Sequence, residues 1–167
     1  MITLAWLILL GLLTLYFGGM LDRQRNPNQQ VVGQVLADGV REVVLHQNRS
    51  GHYVANGRIN RQPVSFLLDT GATTVSVPAG LARRLGLPSG SPTAVQTANG
   101  VVTAYATRLQ RVELGEIALT EVSAHINPGM EGDYVLLGMS FLKKLELTQR
   151  DGTLTLRQSA ARSGAGI

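Results

Sequence analysis

The sequence predicts an all-β domain with one or two short helices, preceded by a single transmembrane helix. Three observations carry the β assignment. Downstream of residue 30, apolar residues fall in short alternating runs such as Val112-Glu113-Leu114, Ile117-Ala118-Leu119 and Val122-Ser123-Ala124-His125-Ile126, the period-two pattern of half-buried strands. Turn-forming pairs punctuate the chain, among them Asp38-Gly39, Asn99-Gly100 and Asp151-Gly152, and many short strands joined by turns make a β domain. Hydrophobic residues are 44% of the 167 and charged residues 16%, which supports a packed core and excludes global disorder.

Residues 1–21 carry no charged side chain and are long enough to cross a hydrocarbon slab, which takes roughly 20 residues of helix. Trp6 and Tyr16 suit its two interfaces. A cleaved signal peptide is the competing reading, but there is no basic n-region and Gly18-Gly19-Met20 is a poor cleavage site, so a retained anchor is preferred. Arg23 and Arg25 follow the span and nothing basic precedes it, a pattern that by itself keeps the downstream domain in the cytoplasm.

Residues 22–47 read as a juxtamembrane linker containing a candidate hairpin, Val31 to Leu36 and Val40 to Leu45 about Ala37-Asp38-Gly39. That ribbon is either an addition to the domain or a partly ordered stalk. Residues 48–158 form the main domain. Within it, Gly51 to Ile59 should pair with Val64 to Leu68 through a turn at Asn60-Arg61-Gln62-Pro63; Asn56-Gly57 is a rival turn, disfavoured because Pro63 suits a turn or strand start. Pro78 to Leu85 reads as a short helix stopped by Gly86 and Pro88. Asn99-Gly100 heads a hairpin whose second arm, Val101 to Leu109, is long. A short helix follows Gly138, then a hairpin about Asp151-Gly152, and residues 159–167 are a flexible tail.

One stretch is chemically out of place for a folding role alone. In Phe66-Leu67-Leu68-Asp69-Thr70-Gly71-Ala72 a carboxylate ends an apolar strand, and burying it costs several kcal/mol unless it is paired, hydrogen-bonded or protonated. Thr70 adds a hydroxyl that donates and accepts, Gly71 admits close backbone approach, and Ala72 adds almost no bulk. The blander alternative is an Asp that caps its own turn.

Asp69-Thr70-Gly71-Ala72 after an apolar strand resembles the active-site signature of retropepsin-like aspartic proteases. Leu136-Leu137-Gly138 before a short helix resembles the element that buttresses the catalytic loop in that family, and Thr97-Ala98-Asn99-Gly100-Val101-Val102 resembles its flap. The likeness runs from about Gly51 to Leu156 and looks most like the bacterial, membrane-anchored branch. It implies a half-barrel fold, Asp69 as the catalytic residue, and Thr70, Gly71 and Ala72 as the active-site loop. It further implies Ala98, Asn99, Gly100 and Val101 as flap and substrate-binding residues, with Leu136, Leu137 and Gly138 supporting the loop. It also places the protease domain in the periplasm, anchored in a bacterial inner membrane, against the charge pattern.

Hydrolysing a peptide bond with water needs one group to take a proton from the water and another to protonate or polarise the carbonyl; two carboxyls about 3 Å apart sharing one proton can do both, and the chain offers one suitable Asp. The other aspartates, Asp22, Asp38, Asp133 and Asp151, lack a following Thr-Gly or Ser-Gly. A homodimer would supply the second Asp69 across a twofold axis. The expected function is therefore a membrane-anchored aspartic endopeptidase acting on peptide or protein substrates. The alternative is a proteolytically inactive retropepsin-fold domain for binding or assembly at the membrane. No cofactor or metal is expected: there is no cysteine, and His46, His52 and His125 do not fall at metal-ligand spacings. The net charge of +4 comes from scattered arginines with no basic stripe, so nucleic acid is not an expected partner. Ser140 lacks the glycine pattern of a hydrolase nucleophile elbow and reads as a helix cap.

Overall fold

The computed structural model describes residues 2–97 and 100–160; within the first helix the side chains of Ile2, Thr3, Ala5 and Ile8 lie outside the described set. Helix α1 (Ile2–Arg25) covers the expected anchor and runs four residues into the expected linker. Its described large side chains stand free of the domain, with Leu7 66% and Leu15 76% exposed. Among the described residues no helix is long and apolar enough to cross a membrane. The four undescribed side chains all fall inside the apolar stretch of α1.

The ribbon left open between addition and stalk is an ordered part of the domain. Strands β1 (Gly33–Val35) and β2 (Arg41–His46) pair antiparallel, and β2 pairs in turn with the last strand, β11 (Thr153–Gln158). With β10 (Glu146–Arg150) they make a four-stranded antiparallel sheet in the order β1-β2-β11-β10. Val43 and Leu45 of β2 are fully buried in the core beside Leu154 and Leu156, as period-two alternation requires. Asp151 and Gly152 both take positive φ, which closes the β10–β11 hairpin tightly.

The larger sheet contains the sequence's most informative features. Strand β3 (Val54–Ile59) and β4 (Gln62–Leu68) pair antiparallel through Asn60 and Arg61, both in left-handed conformation. The turn therefore falls where Pro63 indicated and not at Asn56-Gly57. Gly57 has a different role: a Cβ there would lie 2.3 Å from the Glu113 carbonyl oxygen and 2.6 Å from the Phe66 ring, so only glycine lets the strand lie this close.

Strand β5 (Val75–Pro78) leads into α2 (Ala79–Arg84), which packs Leu81 and Ala82 inward and ends at Leu85 before Gly86 at φ +65°. Strands β6 (Pro92–Thr97), β7 (Gly100–Leu114) and β8 (Ile117–Asn127) follow. Here the expectation of several short strands is corrected. Val101 to Leu109 joins Val112 to Leu114 in one strand, and Ile117 to Leu119 joins Val122 to Ile126 in another. Glu121, at φ +53°, interrupts the ladder locally, yet the register on either side is the same. Polar residues there simply face solvent without ending the pairing.

Strand β9 (Tyr134–Leu137) and helix α3 (Met139–Leu142) complete the domain. The sheet order is β3-β4-β9-β5-β8-β7-β6, and an extra pairing of Arg58 and Ile59 with Glu113 and Val112 joins β3 back to β7, closing a barrel. Inside it sit Phe66, Ile59, Leu109, Leu114, Ile117 and Leu137, all fully buried. The β6–β7 hairpin extends past the closure, with β6 at the edge of the sheet.

Candidate active site

Two pairings to β9, one parallel and one antiparallel, create the site. Strand β4 runs parallel to β9 with Leu68 opposite Leu137, so Asp69 leaves the sheet beside Gly138. Strand β5 joins β9 from the other side through Ser76 and Leu136, so the intervening loop, Asp69 to Thr74, is pinned at both ends to one short strand. The Asp69 N–H donates to the Leu137 carbonyl at 3.2 Å, and the Ala72 N–H to the Asp69 carbonyl at 3.3 Å. Asp69 Oδ1 accepts the Gly71 N–H at 2.8 Å, while Oδ2 has no partner among the described residues. The side chain is half-buried; Thr70 and Gly71 are exposed.

Gly138 supports this loop by having no side chain. A Cβ at that position would sit 2.4 Å from the Thr74 carbonyl oxygen and 2.6 Å from that of Ala72. Because the backbones come this close, the Met139 N–H donates to the Ala72 carbonyl at 2.8 Å. Leu137 is fully buried beneath, and Leu136 faces the cleft. The structure thus brings Asp69, Thr70, Gly71 and Ala72 together with Leu136, Leu137 and Gly138.

Ser140 is not a cap. The residue before α3 is Gly138, without a side-chain cap, and Ser140 Oγ instead accepts the Val75 N–H at 3.0 Å and donates to the Ser123 carbonyl at 2.7 Å. It ties β5, β8 and α3 together at the exit of the Asp69 loop.

Asp69 opens onto a cleft of about 910 Å³. One wall is the loop from Gly71 to Thr74 with Ser76 and Leu136; the opposite wall is β6 from Thr93 to Thr97 with Val102 of β7. Of the flap residues expected at the hairpin tip, Ala98 and Asn99 lie outside the described residues. Gly100 pairs with Thr97, and Val101 is 67% exposed. The described part of the hairpin that lines the cleft is thus its first arm and Val102. Sequence reasoning also missed His125 and Asn127, which line the cleft from β8. His125 Nδ1 lies 2.7 Å from Thr74 Oγ1. Its position in an alternating strand gave no signal for this, because the register that sets Ser76 beside His125 comes only from the sheet. Among the described residues no cluster of His, Cys, Asp or Glu could hold a metal ion.

Comparison with known proteins agrees with this geometry. Residues 55–144 match the family model described as gag-polyprotein putative aspartyl protease. An uncharacterised Sinorhizobium protein from the cobV 5' region is 34% identical over 125 residues, covering 72% of this chain and 54% of that protein. An uncharacterised Rickettsia prowazekii protein is 28% identical over 110 residues, covering 64% and 47%. The chain therefore spans about half the length of the curated relatives it matches. The crystal structure of a retropepsin-like aspartic protease from Rickettsia conorii superposes with a TM-score of 0.62 at 26% identity, covering 78% of this chain and 97% of that one. The strand that delivers Asp69, the loop it opens and the Gly138 turn beneath all lie inside the matched residues, and the chain belongs to the family of retropepsin-like aspartic proteases.

Proposed function

We propose that the protein is an aspartic endopeptidase whose catalytic pair is Asp69 of one subunit and Asp69 of a second. The observation that carries this is the setting of Asp69. One oxygen caps the loop through Gly71, and the carboxylate faces a peptide-sized cleft. A turn-capping Asp needs no such cleft. Two such carboxyls brought to about 3 Å share a proton, so one takes the proton of the attacking water while the other protonates the scissile carbonyl oxygen. Exposed Thr70 and Gly71 leave the loop open to a symmetry mate. Substrate would bind as a strand: β6 is the edge strand of its sheet and lines the cleft, the arrangement that takes an added strand.

The same proposal assigns α1 to a membrane, with the catalytic domain on the periplasmic side. Its support is an unbroken uncharged stretch over residues 1–21 together with the exposure of the described apolar side chains of α1, a face that water does not favour.

The test is cleavage of a peptide mixture by the full chain in detergent micelles, with Asp69→Asn in parallel. Asp69→Asn should keep its circular dichroism and thermal melt yet lose at least about a thousandfold in kcat/KM, the scale of removing a reacting group. Specific activity should also fall on dilution through the dimer dissociation constant. An Asp69→Asn protein as active as the parent would sink the catalytic assignment; activity independent of dilution would sink the dimeric one.

A further inference from the structure

The proposed mechanism leaves His125 of the cleft without a role. His125 stands in β8 between buried Ala124 and Ile126, its own ring half-buried against the cleft. Its strand neighbours are Ser76 on β5 and Ala106 on β7, neither of them titratable. Further along β7, Tyr105 and Arg108 pair with Ile126 and Ser123, and Arg108 has Glu121 at 3.8 Å. Facing it across the cleft, β6 brings Thr93 to Thr97 and no charge.

The Thr74 hydroxyl at Nδ1 has a particular consequence. The Thr74 hydroxyl can donate to Nδ1, which leaves the ring hydrogen on Nε2, or accept from an Nδ1–H; either way the contact engages Nδ1 and leaves Nε2 as the other ring nitrogen. Nε2 has no partner among the described residues, and with Thr74 donating to Nδ1 it presents its N–H to a ligand. The other titratable groups of the cleft are Asp69 and the exposed Glu131, both carboxylates. Among the described residues that line it, His125 alone can carry positive charge.

We infer that His125, oriented by Thr74, is a specificity-determining residue that receives a carboxylate side chain of the substrate at one position near the scissile bond. This rests on the peptidase reading above. Elsewhere in the cleft Asp69 and Glu131 repel acidic residues, so the preference is confined to the position that reaches His125. Thr74 is a positioning residue and acts only through the ring.

The test uses the full chain in detergent micelles and a peptide mixture randomised at each position around the cleavage point. At one position Asp or Glu should be favoured over Asn or Gln by about tenfold in kcat/KM, the scale of one charge-assisted hydrogen bond. His125→Leu should erase that preference and raise cleavage of peptides with an apolar residue there. Thr74→Val should weaken the preference, and Thr74→Ser should restore it. Should His125→Leu fail to fold, His125→Gln keeps a donor without the charge and should lose the acid-over-amide preference. No acid preference at any position, or one unchanged by these variants, overturns the inference. If the parent cuts no peptide, the catalytic reading fails by itself, and the pocket is decided by binding. Fluorescence anisotropy of Asp69→Asn with matched glutamate and glutamine peptides should show tighter, His125-dependent binding of the glutamate peptides. Equal binding of the two sets, or binding of neither, overturns it.

Discussion

Asp69 is held in place chiefly by backbone groups. Leu137, Gly71 and Ala72 supply its three bonds, and the loop beyond is gripped by Met139 through Ala72. The geometry at the carboxylate depends as well on residues outside the cleft. Ser140 is one. Ser140→Ala leaves the Val75 N–H, on a fully buried residue, without an acceptor, at a cost of about 1–3 kcal/mol. A lower melting temperature and a reduced kcat with little change in KM are expected, read by calorimetry and steady-state kinetics. Gly138→Ala should be harsher: its Cβ meets two carbonyl oxygens, so the Asp69 loop must move away from β9. Loss of activity beyond the loss of stability is the expected outcome, measured as residual kcat well below the melting transition.

At the scale of elements, the base of the domain is held by a cross-strand ion pair. Arg157 of β11 lies opposite Glu42 of β2, with Arg157 Nε 2.6 Å from Glu42 Oε2, and Gln34 Nε2 donates to Glu42 Oε1 at 2.7 Å. The Arg157 hydrogen bond, then that of Gln34, holds the Glu42 carboxyl below its usual range. A depressed folded-state pKa means that the pair stabilises the fold above the unfolded Glu value, about 4.3, and that this contribution is lost as pH falls through the folded value. Arg157→Met should lower the melting temperature near neutrality and shrink the further loss on acidification from about pH 5 to pH 3. An unchanged acid response in differential scanning calorimetry would remove the pair from the account.

At the scale of the whole molecule, a network of asparagines joins α1 to the barrel. Asn28 Nδ2 donates to the carbonyls of His46 and Val54 at 2.9 and 2.7 Å, its Oδ1 accepts the His46 N–H at 2.8 Å, and Asn26 Nδ2 donates to Asn56 Oδ1 at 2.8 Å. Both residues are buried. The start of the stretch that reads in sequence as a juxtamembrane linker is thus bound to β2 and β3, which fixes where the helix leaves the domain. A chain beginning at Asp22 should keep these bonds, fold, and stay in solution without detergent, whereas the full chain should sediment with membranes and resist extraction by high salt. Release of the full chain by salt alone would argue against α1 as a membrane helix.

By itself the sequence determined what depends on neighbours along the chain. The apolar run into Asp69-Thr70-Gly71-Ala72, the Leu136-Leu137-Gly138 element, the β3–β4 turn next to Pro63 and the Asp151-Gly152 hairpin are all local patterns of side-chain alternation and backbone freedom. Tertiary structure decided whatever depends on register between distant strands. It merged short runs into the long strands β7 and β8, drew β2 into the core beside β11, turned Ser140 from a presumed cap into a bridge, and set His125 beside Thr74 in the cleft. An alternating strand pattern says which residues share a face, but a one-residue shift of pairing reverses that face, and only packing of the closed barrel selects one register.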